Sequence, residues 1–119
     1  MRTLQQIFDE VNRAGLLFDV PVNSVNAERF DGETSLHAVA KWGDAEAIRI
    51  LVSNGALIDK RGEHENTPLH YAAMFGHLNA VRCLLELGAL NCVDRYGNTP
   101  RNLAERHSDI EQLLMRHGF

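Results

Sequence analysis

The sequence predicts an all-α solenoid: helix-turn-helix units with projecting loops, about three repeats in all, preceded by an N-terminal capping helix. Three observations carry this. The chain repeats itself at a period near 33 residues, each copy has helix start and stop residues at matching places, and the apolar residues of each copy fall at helical spacing. Thr34 recurs at Thr67, a shift of 33, and again at Thr99, a shift of 32. The shift of 33 also carries Gly43 to Gly76, Leu51 to Leu84 and Gly55-Ala56 to Gly88-Ala89. Agreement at this many punctuating positions is not chance.

Residues 1–28 open with Leu4, Ile7, Phe8 and Val11 at i, i+3, i+4, i+7, one apolar helical face with Gly15 as its stop. The stretch reads as the second helix of a degenerate unit, capping the first repeat, with Leu16 to Pro21 leading to the first loop. A helix left free to contact a partner is the other reading. The cap is preferred, because an apolar stripe beside an open repeat end is costly to leave in water.

Residues 29–61 form the first repeat, residues 62–93 the second and residues 94–119 a shortened third, all within one structural domain. The second shows the unit most plainly. Thr67 is a good N-cap and Pro68 suits the first helical position, where a missing N–H costs nothing. A short helix runs to Gly76; a second carries Val81, Leu84 and Leu85 on one stripe and ends at Gly88. Asn91 to Asn98 reads as an extended loop turning at Tyr96-Gly97. The third copy opens at Thr99-Pro100. Its Ile110 and Leu113-Leu114 match Val81 and Leu84-Leu85 at a shift of 29, which predicts three residues missing between its helices. One such unit has too little core to stand alone.

These residues resemble the ankyrin repeat family. The resemblance rests on the 33-residue period, the T-P-L-H-x-A stretch from Thr67 to Ala72, the Gly76-His77 pair, and Leu84-Leu85 followed by Gly88-Ala89; it covers roughly Ser24 to Phe119. The first repeat departs at Ser35 and Asp44. The third departs more, with Arg101-Asn102 where Leu-His would stand, as suits a terminal repeat whose outer face meets water. The resemblance implies a structural frame made of Thr34, His37, Gly43, Gly55, Thr67, Pro68, His70, Gly76, His77, Gly88, Thr99 and Pro100. In particular it implies that His37 and His70, 33 residues apart, bond backbone and bridge adjacent repeats.

Composition narrows the function classes. The chain has 119 residues, 45% hydrophobic and 24% charged, the balance of one globular domain. A net charge of -4 argues against nucleic acid as the partner. The polar start Met1 to Gln6 shows no secretory signal, and no apolar run is long enough to span a bilayer, so no membrane is expected. Cys83 and Cys92 form no C-x-x-C pair; the simplest reading is two reduced thiols in the cytoplasm. A disulfide between them would need helical Cys83 to face the loop holding Cys92.

Chemistry is not expected. Beyond His37, His70 and His77, the histidines His64, His107 and His117 have no ligand spacing, and there is no H-E-x-x-H, P-loop or G-x-S-x-G. Glu63-His64-Glu65 falls on a projecting loop, where solvated carboxylates are the bland reading. No enzyme, metal or cofactor is therefore predicted, and a histidine-based metal protein stands only as a remote alternative.

The resemblance implies instead a binding face formed by the loop tips and the exposed ends of the first helix of each repeat. Carried over position by position, the tips are Phe30, Asp31 and Glu33, then Glu63, His64 and Asn66, then Arg95, Tyr96 and Asn98. The helix ends are Lys41-Trp42, Met74-Phe75 and Arg106-His107, which should form a ladder. Trp42, Phe75, Phe30 and Tyr96 stand where a purely structural array would hold polar residues, and large aromatics dominate interface hot spots. Sideways packing of Trp42 and Phe75 on neighbouring repeats is the other reading. The expected function is non-catalytic binding of a protein partner through the concave face, by a chain monomeric when free. Such a chain would be a small adaptor or inhibitor; the alternatives are a bacterial immunity-type inhibitor of a cognate toxin and a self-associating structural subunit.

Overall fold

The computed structural model describes residues 1–14 and 23–119. Seven α-helices are described: α1 (Leu4–Ala14), α2 (Ser35–Trp42), α3 (Ala45–Ser53), α4 (Pro68–Met74), α5 (Leu78–Glu86), α6 (Pro100–Leu103) and α7 (Ser108–Arg116). Among the described residues there is no strand, only an isolated bridge between Glu28 and Thr34. Helices α2, α4 and α6 pack as one row and α3, α5 and α7 as a second, with each pair α2/α3, α4/α5 and α6/α7 packed across the rows. The predicted stop at Gly15 and the Leu16 to Pro21 connection lie outside the described residues.

Each α2-type helix starts with a reciprocal cap. The Thr34 N–H donates to His37 Nδ1 (3.1 Å) and the Thr67 N–H to His70 Nδ1 (3.0 Å). In the third repeat the Thr99 N–H donates to Asn102 Oδ1 (2.9 Å), and the Asn102 N–H returns to Thr99 Oγ1 (3.2 Å). Pro68 and Pro100 fill the first helical position. Ser35 takes that position in α2, and its buried hydroxyl has no hydrogen-bond partner among the described residues.

The core is continuous through the rows. Leu36, Leu51, Leu69, Leu84, Ile110 and Leu114 are essentially inaccessible. Helix α1 adds Ile7, Phe8 and Val11 to it by packing on α2 and α3, which is the geometry of a cap. Arg2 pins the start of α1 through Glu10 (2.6 Å), Asp44 (2.5 Å) and Glu46 (2.8 Å). Burial alone would raise the Asp44 carboxyl; the Arg2 guanidinium and the Ala47 N–H outweigh it and hold it below the ordinary range.

Three side-chain grips join successive repeats, each present twice. His37 Nε2 donates to the Asn66 carbonyl (3.1 Å) and His70 Nε2 to the Asn98 carbonyl (2.9 Å). Asn26 Oδ1 accepts from the Leu57 N–H and Asp59 Oδ1 from the Leu90 N–H, both at 3.0 Å. The His77 ring lies against Gly43, where a Cβ would fall 2.5 Å from Nδ1, and the His107 ring lies against Gly76 at 2.6 Å from Cε1. The third repeat holds Asn102 in place of His70, and the second holds Cys92 in place of Asp59.

The third repeat corrects the sequence reading. Its second helix aligns at a shift of 30, not 29: His77 and His107 both precede the helix, and Gly88 and Gly118 both follow it with left-handed φ. Two residues are therefore missing, not three. Both registers match Val81 or Ala80 to Ile110 with apolar residues, so the stripe alone could not choose between them. The same contraction leaves α6 a single helical turn of 4 residues.

Candidate functional site

The predicted binding residues separate into three groups once their surroundings are known. The first is exposed and stands at the loop tips. Each tip is a tight turn closed by two backbone bonds. Arg29 N–H donates to Glu33 O and Gly32 N–H to Arg29 O in the first finger; Gly62 N–H to Asn66 O and Glu65 N–H to Gly62 O in the second; Asp94 N–H to Asn98 O and Gly97 N–H to Asp94 O in the third. Phe30 projects from the first finger at 97% exposure, beneath the Arg29 guanidinium 5.5 Å from its ring centre. Arg29 pairs with Asp31, whose carboxyl is thereby held below its ordinary range. Tyr96 leads the third finger at 66% exposure and leans on His64 of the second, with ring centres 5.4 Å apart and its OH 3.2 Å from His64 Nδ1. An open cleft of about 390 Å³ lies between the first two fingers, lined by Arg29, Phe30, Asp31, Gly62, Glu63, His64 and Arg95.

The second group lies at the C-terminal ends of the α2-type helices. Trp42 is 38% exposed and Phe75 52% exposed, while Met74 is half-buried. Each aromatic is thus partly packed and partly exposed. Arg106 does not end a helix: α6 stops at Leu103 and Arg106 sits in the following turn. His107 is corrected outright. It stands where His77 stands, just before the second helix and against a glycine of the preceding repeat, because the missing residues fall before it. Its partner in the frame is His77, whose Nε2 donates to the Lys41 carbonyl at 2.7 Å, and not Phe75.

The third group is buried. Glu33, predicted at a tip, is 0% exposed, and Asn66 is 6% exposed with its side-chain oxygen unpartnered among the described residues. Both follow the turn and point back under it. Asn98, their counterpart, is half-buried. The Glu33 carboxylate has three partners: Lys41 Nζ on Oε1 (2.9 Å), and on Oε2 the Tyr71 hydroxyl (3.0 Å) and the Glu63 N–H (3.1 Å). Lys41 Nζ also sits 4.4 Å over the Tyr71 ring, a cation–π contact. Lys41 therefore belongs to this internal cluster as much as to the face. Burial, followed by the Glu33 charge, pushes the Tyr71 phenol far above its ordinary range. A Cβ on Gly62 would fall 1.9 Å from Glu33 Oε2; the sequence reading passed over both Gly62 and Tyr71.

The groups that looked chemical have structural surroundings. His37 and His70 accept at Nδ1 and donate at Nε2, which requires the neutral ring, and burial lowers both below the ordinary histidine value. Cys83 and Cys92 are free thiols, both pushed up by burial, so neither is activated as a nucleophile. Among the described residues no three of His, Cys, Asp and Glu come together to hold a metal, and no helix is long and apolar enough to cross a membrane.

Comparison with known proteins agrees with this arrangement. A family model described as ankyrin repeats, in three copies, matches residues 8–89 and 56–119. A protein of Leifsonia xyli subsp. xyli, named as an ankyrin-containing lipoprotein, is 56% identical over 34 residues, 29% of this chain and 13% of that protein. The chain thus spans about an eighth of the length of this relative.

Proposed function

We propose, from the premise that this chain belongs to the ankyrin repeat family, that it binds one protein partner, without catalysis, through the concave face between its finger tips and the ends of α2 and α4. Ankyrin repeats are generally protein-interaction modules. The observation that carries the specific face is the placement of exposed aromatics. Phe30 and Tyr96 stand exposed at finger tips, and Trp42 and Phe75 stand exposed at the ends of α2 and α4, while the exposed apolar residues Leu57, Leu90, Val93 and Met115 are all aliphatic. An aromatic left in water gains most when a partner covers it.

Asp31 is already paired with Arg29, and Glu65 lies near Arg95 at 4.0 Å. Charge on the tips is therefore internally balanced, and affinity is expected to come from aromatic burial rather than from long-range attraction. A reducing cytoplasmic setting fits two free thiols.

The test is affinity capture with the native chain beside Phe30→Ala/Phe75→Ala, two exposed residues whose removal leaves the core intact. The expected result is one partner retained by the native chain and lost from the variant. Equal capture of that partner by both would remove this face from consideration.

A further inference from the structure

The second finger differs from the other two in its backbone, and that difference joins it to the third. The finger bonds align Gly32, Glu65 and Gly97 at one place in the three turns. All three have left-handed φ, at 91°, 61° and 80°. Glycine takes this conformation freely; a residue with a side chain does so only under constraint. Glu65 has no such freedom, and His64 before it is also left-handed, with φ at 55°. Among the described residues these two are the non-glycine residues with positive φ, and they are adjacent.

Strained backbone persists where surrounding contacts over-determine it. Here the contacts come from the third repeat: the Tyr96 hydroxyl on His64 Nδ1, the Tyr96 ring against the His64 ring, and the Arg95 N–H donating to the His64 carbonyl at 2.9 Å. Arg61 adds a strut, donating to both the Glu65 carbonyl (3.3 Å) and the Val93 carbonyl (2.6 Å). The first finger, with glycine at the turn, has no counterpart of the tyrosine latch: the structure gives Phe30 no such contact with the second.

We infer that Tyr96 is a latch that holds the second finger in its strained form, so that a partner which takes the Tyr96 ring also releases residues Glu63 to Asn66 to a different conformation. The Tyr96 side chain serves two competing purposes. It is exposed enough to be an anchor for a partner, yet its hydroxyl and one ring face are committed to His64. Occupancy of Tyr96 and the shape of the second finger are then thermodynamically linked, each biasing the other. This consequence for the partner rests on the proposed binding face; the latch itself does not.

The latch is tested in the free protein, with no partner present, so its failure and that of the binding face are distinguishable. The amides of Glu65 and Asn66 close the turn on Gly62 O and Glu63 O, and their hydrogen-exchange rates report it. In Tyr96→Ala these two amides are expected to lose about tenfold protection, the loss of one hydrogen bond and a ring contact. The amides of Gly32 and Gly97 should be unchanged. Tyr96→Phe, which keeps the ring, should give a smaller loss. Glu65→Gly placed in Tyr96→Ala should restore protection, because the turn then needs no latch. Unchanged protection of Glu65 and Asn66 in Tyr96→Ala overturns the inference, and so does a failure of Glu65→Gly to restore it.

Discussion

Replacing Glu33 separates a surface acid from a buried organiser by a wide margin. On an exposed loop tip, Glu33→Ala would change stability by no more than about 0.5 kcal/mol. In the structure the carboxylate is 0% exposed and satisfies three donors. Lys41 is 30% exposed and can turn to water when its acid is lost, so it adds little to the cost. The Tyr71 hydroxyl and the Glu63 N–H have no such freedom, and each unsatisfied buried group costs about 1–3 kcal/mol. With the space left by the side chain, Glu33→Ala should cost about 3–5 kcal/mol, the range for breaking a buried pair. Glu33→Gln keeps an oxygen for Tyr71 and Glu63 and loses only the charge pair, so about 1–2 kcal/mol is expected. Urea denaturation followed by circular dichroism measures both, with stability read from the midpoint at constant slope. A Glu33→Ala variant within about 0.5 kcal/mol of the native chain, or a glutamine as costly as alanine, would refute the buried-cluster argument.

Four further outcomes are expected. Gly62→Ala should destabilise by about 1–3 kcal/mol because its Cβ meets the Glu33 carboxylate. In a Glu33→Ala background the cost should fall without vanishing, because the same Cβ also lies 2.9 Å from His37 Nε2; a double-mutant cycle detects this non-additivity. Ser35→Pro should stabilise by about 1 kcal/mol in the same urea assay: it removes an unpartnered buried hydroxyl and presets φ, and Thr34 is already extended (φ −124°, ψ 174°) as a residue before proline must be. Leu84→Ala, at a fully buried site in the middle repeat, should lower stability by about 2–5 kcal/mol, and an unchanged thermal melt would count against the stacked core. Stability should also fall in mild acid. Burial lowers His37 and His70, so the unfolded chain takes up protons first as pH drops below about 6.5, and the folded chain resists them. Their contribution is complete above that value and is lost as pH falls through the folded values; His37→Asn/His70→Asn should flatten the profile measured by urea midpoint against pH.

Much of the frame was legible because its signals are local or periodic. Thr67, Pro68 and His70 lie within one turn, and the 33-residue shift placed His37 on the same footing before any geometry was known. Glu33 was misplaced for the opposite reason. Its partners Lys41 and Tyr71 lie 8 and 38 residues away, and spacing gives no sign that three unlike side chains meet in one buried volume. Asn66 failed with it, being the same position one repeat later. The strained turn, by contrast, left a readable trace: Gly32 and Gly97 flank Glu65 in the repeat register, so a left-handed position occupied by a glutamate was there to be noticed. The shift of the third repeat was ambiguous because adjacent apolar residues satisfied either register, and the Gly88–Gly118 match was the signal that resolves it.

The grips between repeats have a bearing on how such a chain can grow. His37 and His70 each reach a main-chain carbonyl, and Asn26 and Asp59 each accept a main-chain N–H. Most of what a recipient repeat supplies is therefore backbone, which every sequence has. Duplicating residues 62–93 in place would give the new copy a His70 facing ahead and a His77 facing behind it, with the same carbonyls waiting at both seams. Lengthening in the middle repeats both histidine grips and lacks only an acceptor at Cys92 for the next Leu90 N–H, whereas lengthening after the third repeat would first require a histidine at Asn102. Tandem copying of the middle unit is thus the low-cost route by which a longer binding face could arise from this one.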